Sequence, residues 1–292
     1  MLNPQAEHYL RLVGSLVAGF LHIIGFYLIN RVKSDLPNQR FIVANLSLTE
    51  LIISWKMVIK TIIYLANKNW IENQGTAWYI NTFLDLAIYT NIRLVVLHII
   101  IDRFIDIKLS IKYPLYITLK KLQSIVISMW MISVIFALLW TIILKLDVLK
   151  LSSWYTYVSA FIVLADILIV VSAVVTYTYL FSRVRKFTHT NGQQDSTRTS
   201  LIIRKFKIPC LMVLTFIMFN VSGTALRACG IMDIPHLLDL LGWCSDSCIY
   251  IFLQTRIRKH LAKMFHKPTE DRFQSSRDTP YSTRKTFTHS VR

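Results

Sequence analysis

The chain has 292 residues, of which 54% are hydrophobic and only 17% charged, with a mean hydropathy of +0.47. Soluble domains carry about 25% charged residues, so the composition excludes an ordinary soluble enzyme or regulatory domain and indicates a bilayer protein. The net charge of +17 would suit nucleic acid if it were scattered over a soluble surface, but it is gathered between apolar segments, which argues against nucleic acid as a partner.

A helix of about 20 apolar residues crosses a bilayer, and seven stretches reach that length. Residues 1–9 precede them and are too few for a ligand-binding ectodomain. The first stretch, 10–31, contains His22. The second, 41–65, holds Glu50 and, one turn apart, Lys56 and Lys60. The third, 77–107, carries Asp85, Tyr89 and Arg93, and ends on Asp102-Arg103-Phe104. The fourth, 120–144, contains Trp130, and the fifth, 154–186, contains Asp166 and Tyr177. The third and fifth exceed the bilayer thickness and are expected to tilt or project from it. Residues 188–200 (THTNGQQDSTRTS) read as a polar, turn-rich loop. The sixth stretch, 201–226, includes Asn220, and the seventh, 235–254, includes Asp246 and Tyr250. Beyond it Ile257, Leu261, Met264 and Phe265 recur at helical spacing among Arg and Lys, which predicts an amphipathic helix over 255–265 lying on the lipid surface. Residues 266–292 are rich in Ser, Thr and Arg and are predicted to be disordered. The expected fold is an all-α membrane protein, a seven-transmembrane helix bundle over 10–254 with an amphipathic eighth helix.

Charge sets the expected orientation. The segments 31–40, 103–121, 183–207 and 254–292 hold 3, 5, 7 and 10 Lys and Arg residues, whereas the alternate segments hold one or two each. The positive-inside rule puts the N-terminus outside and the C-terminus in the cytoplasm. The basic flanks would also meet anionic membrane lipid. No cleavable signal peptide is expected, because the first apolar run is long and lacks a small-residue cleavage site. Of the four cysteines only Cys229 lies near an outer loop, so no structural disulfide is expected. Cys244 and Cys248 share a helix face without further His or Cys ligands and read as packing residues, not a metal site.

Ionisable residues inside apolar stretches are costly and mark function or firm pairing. Arg93, buried alone, would cost several kcal/mol. Asp166 is its best partner by depth, giving an expected structural ion pair. Lys56 and Lys60 either line an outer pocket that favours an anionic ligand or snorkel to the outer headgroups.

Several motifs recur in one order. Asn45-Leu46-Ser47-Leu48-Thr49-Glu50-Leu51 in the second span resembles NLAxxDL, and Asp102-Arg103-Phe104 ends the third. Trp130 lies in the fourth span and Tyr177 at the inner end of the fifth. Asp246-Ser247-Cys248-Ile249-Tyr250 in the seventh resembles NPxxY. With the seven spans and the amphipathic eighth helix, the chain resembles a rhodopsin-like (class A) G-protein-coupled receptor over nearly its whole length, with its nearest likeness to the melanocortin/adenosine/cannabinoid branch. Departures are plain. Trp78 stands where helix three keeps a cysteine, Ile169 where helix five keeps a proline, and Phe219-Asn220-Val221-Ser222 where helix six keeps CWxP.

The resemblance implies a non-enzymatic plasma-membrane receptor that binds an extracellular small molecule, amine or short peptide and activates a heterotrimeric G protein. It implies coupling through Asp102, Arg103, Phe104, Tyr177 and Tyr250, with Arg103 paired to Asp102 at rest. It implies a polar switch pocket of His22, Glu50 and Asp246. There two carboxylates need Na⁺, a histidine cation or a shared proton, unless the three are separately satisfied polar residues. It also implies a ligand contact at Asp85, beside which Tyr89, Lys60 and Asn220 are further candidate contacts. Asp85 stands where amine receptors keep their ligand carboxylate, and Arg93, two turns deeper, is the competing partner. No lysine lies in the seventh span, which excludes a retinal Schiff base; Na⁺ as an allosteric ion is the one cofactor in view. Two other readings remain: a receptor-shaped protein that does not couple, acting as decoy or accessory, and a transporter, against which no inverted repeat is found.

Overall fold

The computed structural model describes residues 4–31, 37–66, 75–109, 112–146, 150–190, 196–229, 233–254, 257 and 262. The eighth helix expected over 255–265 lies outside the described residues except for Ile257, whose side chain is fully buried in the main core, and Ala262; the tail 266–292 lies wholly outside them. Every long element among the described residues is helical. In chain order they are α1 (Pro4–Arg31), α2 (Pro37–Ala66), α3 (Thr76–Leu109), the single turn α4 (Tyr113–Tyr116), α5 (Leu119–Lys145), α6 (Leu151–Thr190), α7 (Ser196–Phe216), α8 (Ser222–Ala228) and α9 (Asp233–Leu253). A π-helical turn, Ile217–Val221, joins α7 to α8 without a break.

Helices are the only open structures that satisfy every backbone N–H and C=O internally, so an apolar solvent selects them. Six of the described helical segments are long and apolar enough to cross a membrane: Glu7–Arg31, Arg40–Ala66, Thr76–Leu109, Leu119–Lys145, Ser153–Arg183 and Phe206–Ala228. In α5 and α6 only 22% of the most apolar stretch is buried. Leu138, Leu139, Leu164, Val171 and Val174 instead stand exposed on their outer faces. In water such faces would aggregate; in a bilayer they face lipid. The chain is therefore a multi-pass, all-α integral membrane protein. The seventh stretch forms α9, but Asp233, Asp239 and Asp246 leave it short of the apolarity that defines the other six.

Two boundaries differ from the sequence reading. Helix α1 begins at Pro4, inside the segment 1–9, because proline suits a first helical turn. The described residues of the polar stretch 188–200 are helical, since α6 runs to Thr190 and α7 starts at Ser196. Residues 191–195 lie outside the described residues; on either side, Ser, Thr and Arg are tolerated where a helix extends past its apolar part.

The third helix is central, packing against α2, α5, α6 and α7, while α1 lies on α2 and α9. One core, built on Ile53, Ile92, Val96, Ile100, Phe216 and Trp243, fills the bundle. A second, aromatic core joins α3, α5 and α6 near the Trp78 end of α3. Trp154 is buried there, donates from Nε1 to the Trp140 carbonyl at 2.9 Å, and packs edge-on against the Trp140 ring. Trp78, standing where the resemblance expects a cysteine, packs on this cluster, and all four cysteines are free.

Candidate functional site

A cavity of about 370 Å³ opens among α2, α3, α6, α8 and α9 at the Trp78 end of the bundle. Lys60, Asp85, Tyr89, Arg93, Arg227 and His236 supply its polar wall, and Trp78, Trp154 and Tyr155 its aromatic wall. Three ion pairs surround it. Asp85 is held by Lys56 and accepts from Asn81 Nδ2 at 3.1 Å. Arg93 makes a bidentate pair with Asp166, Nε to Oδ1 at 2.8 Å and Nη2 to Oδ2 at 3.1 Å. Its remaining donors reach the Tyr89 carbonyl at 3.2 Å and Thr224 Oγ1 at 3.0 Å. Arg227 pairs with Asp239, which also accepts from the Tyr89 hydroxyl at 3.3 Å.

The competition foreseen for Asp85 is thus settled differently: Arg93 goes to Asp166, and Asp85 goes to Lys56. Asn220, expected among ligand contacts, is buried off the cavity wall. It sits in the π turn, where a Cβ on Gly242 would stand 3.0 Å from its Nδ2. Ser222 stands where the resemblance expects a proline, and its N–H reaches back five residues to the Ile217 carbonyl. A wide turn of this kind shifts the hydrogen-bond ladder where a proline would have broken it.

Deeper in the bundle, His22 Nε2 lies 3.5 Å from Glu50 Oε2, and its Nδ1 meets Ser247 Oγ at 2.6 Å and Ser47 Oγ at 3.4 Å. Glu50 and Asp246 are within hydrogen-bond reach of each other, and Thr215 donates to Asp246 at 2.6 Å. All of these except Thr215, together with Tyr250, line a void of about 10 Å³, room for one water-sized occupant. His22, Glu50 and Asp246 therefore converge. Among the described residues, no group of three or more His, Cys, Asp or Glu has the geometry to hold a metal ion. On the neighbouring helices, Asn91 Nδ2 donates to Thr49 at 2.9 Å and Trp130 Nε1 donates to Asn45 at 3.1 Å.

At the far end of α3, Arg103 pairs with Asp102 on the same helix, and its Nη1 lies 3.4 Å from Asp106. Its guanidinium stands 5.7 Å over the Phe206 ring of α7. The Tyr113 hydroxyl, from the turn after α3, donates to the other Asp102 oxygen. Pro114 fixes that turn, and Asn38 of α2 holds its end by donating to the Ile117 carbonyl at 2.9 Å. Burial and then the neighbouring Asp102 carboxylate hold the Tyr113 phenol well above its usual range, so it stays a donor. Phe104 faces away, 5.6 Å from the Tyr179 ring. The Tyr177 hydroxyl is buried without a hydrogen-bond partner among the described residues. Val43 and Met212 line both the void at His22 and a second one beside Asp102 and Arg103, so two side chains separate the two groups.

Sequence reasoning missed Asp239, Lys56 as the partner of Asp85, and Tyr113. Asp239 carried a readable signal, because it lies two turns before Asp246 on one helix face inside an apolar stretch. Nothing in the sequence marked Tyr113. No protein-family model matches the chain, and no curated protein matches it in sequence.

Proposed function

We propose that this chain is a seven-span receptor of the rhodopsin-like class in the plasma membrane, with α9 as the seventh span and 255–265 as an amphipathic eighth helix. Its N-terminus would be extracellular. A small molecule or short peptide would bind in the cavity, and a helix shift would release Arg103 to a heterotrimeric G protein. The observation that carries this reading is the arrangement at the two ends of one bundle. A ligand-sized cavity lies at one end and a buried, intrahelical Asp102–Arg103 pair at the other. Polar contacts at His22, Glu50 and Asp246 lie between them.

A guanidinium near a bundle mouth can exchange its own carboxylate for backbone carbonyls of an inserted helix. In this reading Na⁺ would sit beside the carboxyls of Glu50 and Asp246, whose hard oxygens suit it by ligand type. Catalysis forms no part of this reading.

The test is nucleotide exchange on purified G proteins by the full chain in nanodiscs. Wild type should raise basal exchange on at least one G-protein class, and Arg103→Ala should abolish that rise while the protein remains folded. Equal exchange by both proteins would sink the coupling role. No exchange by wild type on any class would favour the non-coupling reading, which the altered helix-six turn supports.

A further inference from the structure

The charges around the large cavity do not balance. Lys56, Lys60, Arg93 and Arg227 stand in or beside its wall, against Asp85, Asp166 and Asp239. Each carboxylate is already engaged: Asp85 by Lys56, Asp166 by Arg93, Asp239 by Arg227. Lys60 is left as the surplus cation. It is half-buried, lines the cavity, and meets no carboxylate among the described residues. Lys56, one turn away on α2, is already paired with Asp85, and His236 lines the same cavity.

We propose that this cavity binds an organic monoanion, a small carboxylate with an aromatic or aliphatic body, whose charge pairs with Lys60. The proposal rests on the cavity being the ligand site argued above and names the class of ligand it takes. An amine would have to displace Lys56, Arg93 or Arg227 from its carboxylate and would then sit beside the cation it displaced. A neutral ligand would leave Lys60 without a counter-charge in a partly desolvated wall, where an unpaired charge is unfavourable. A dianion would overshoot the single surplus charge. Room exists for the body of such a ligand: about 370 Å³ falls within the usual range of small-molecule sites, and Trp78, Trp154 and Tyr155 offer ring faces to it.

The experiment uses purified full-length protein and matched probes: phenylbutyrate, its primary amide and phenylbutylamine, with equivalent triples built on naphthalene and indole. Binding is read by ligand-observed NMR in phosphatidylcholine nanodiscs. At least one carboxylate should bind roughly tenfold or more tightly than its amide, the loss expected when a partly buried ion pair goes unmade, and its amine should bind least. Lys60→Gln should bring that carboxylate down to the level of its amide without changing the amide, and Lys60→Arg should keep the preference.

Tighter binding of the amines, a carboxylate preference that survives Lys60→Gln, or no carboxylate binding at millimolar concentration would each overturn the proposal. Loss of carboxylate binding when phosphatidylserine is added would assign Lys60 to a lipid headgroup and would also overturn it. No G protein enters the assay, so failure of coupling at Arg103 leaves this result untouched, and the reverse holds too.

Discussion

Replacing Asp166 with Asn probes whether the bundle interior is held by matched charge. In the native protein both Asp166 oxygens accept from Arg93, at 2.8 and 3.1 Å, and both side chains are buried. Asn keeps the shape but removes the charge and turns one acceptor into a donor that faces a donor. Breaking a buried pair from one side typically costs about 3–5 kcal/mol, because the remaining charge stays behind without compensation. The Tyr89 carbonyl and Thr224 hydroxyl still serve the guanidinium, so the lower half of that range is expected. Joint replacement, Arg93→Met with Asp166→Leu, removes both charges and should recover most of the loss, since apolar substitutes for a buried pair are often neutral or stabilising. The assay is equilibrium unfolding in bicelles by titrated dodecyl sulfate, read by tryptophan fluorescence, for the singles and the double. A loss below about 1 kcal/mol for Asp166→Asn, the scale of a solvent-exposed pair, would refute the reasoning, as would a double variant no more stable than either single.

Tyr113→Phe removes the donor to Asp102 and should raise basal nucleotide exchange by loosening the pair; unchanged exchange would detach Tyr113 from the switch. Its phenol is pushed above its ordinary value, so the stability it adds is present below the unfolded pKa of about 10 and is lost only as pH rises through the folded value. The stability gap between wild type and Tyr113→Phe should therefore stay level through the neutral range, and a gap that closes near neutrality would contradict this. Gly242→Ala places a Cβ 3.0 Å from Asn220 Nδ2 and 3.3 Å from Phe219 Cβ, and should cost about 1–3 kcal/mol as overpacking against the π turn, read by the same unfolding assay; a stabilised variant would show that the contact gives way freely. Replacing NaCl by choline chloride should lower the thermal stability of wild type, more so at higher pH where protons no longer compete for the facing carboxyls, and Asp246→Asn should lose most of that response; equal responses in both proteins would leave His22, Glu50 and Asp246 as ordinary polar packing.

The helices were legible because a lipid-facing surface must be apolar along its whole length, and that demand writes itself into composition. Arg93 and Asp166 could be paired from sequence because an arginine deep in an apolar stretch needs a carboxylate, and with 16 acidic residues in the chain few lie at that depth. Lys56 and Lys60 show where this reasoning stops. One turn apart on α2, either could have met Asp85, and only the rotation of α2 against α3 gives the carboxylate to Lys56 and leaves Lys60 at the cavity. Asp239 hid for a different reason. Within a stretch read as apolar on average, one acid two turns from Asp246 did not change the assignment, although its burial demands the Arg227 partner that the structure supplies. Ser222 was read only as a missing proline. The wide turn that replaces it is set by how α9 closes on Asn220 through Gly242, a contact between residues 22 positions apart that local propensity does not encode.

The placement of the ion pairs separates what holds the bundle from what can move in it. Lys56–Asp85 joins α2 to α3, Arg93–Asp166 joins α3 to α6, Arg227–Asp239 joins α8 to α9, and His22 meets Glu50 across α1 and α2. Apolar contacts in lipid have little directional preference, so pairs of this kind favour one helix register over its neighbours. Arg103 is arranged otherwise. Both of its carboxylates, Asp102 and Asp106, lie on its own helix. Among the described residues, releasing Arg103 therefore breaks no ion pair of its own between helices, and the tie from outside α3 to its buried partner is the Tyr113 hydroxyl on Asp102. A guanidinium held this way can change partners while the pairs that set the register of α2, α3 and α6 remain closed, which is the condition a helix shift at that end of the bundle has to meet.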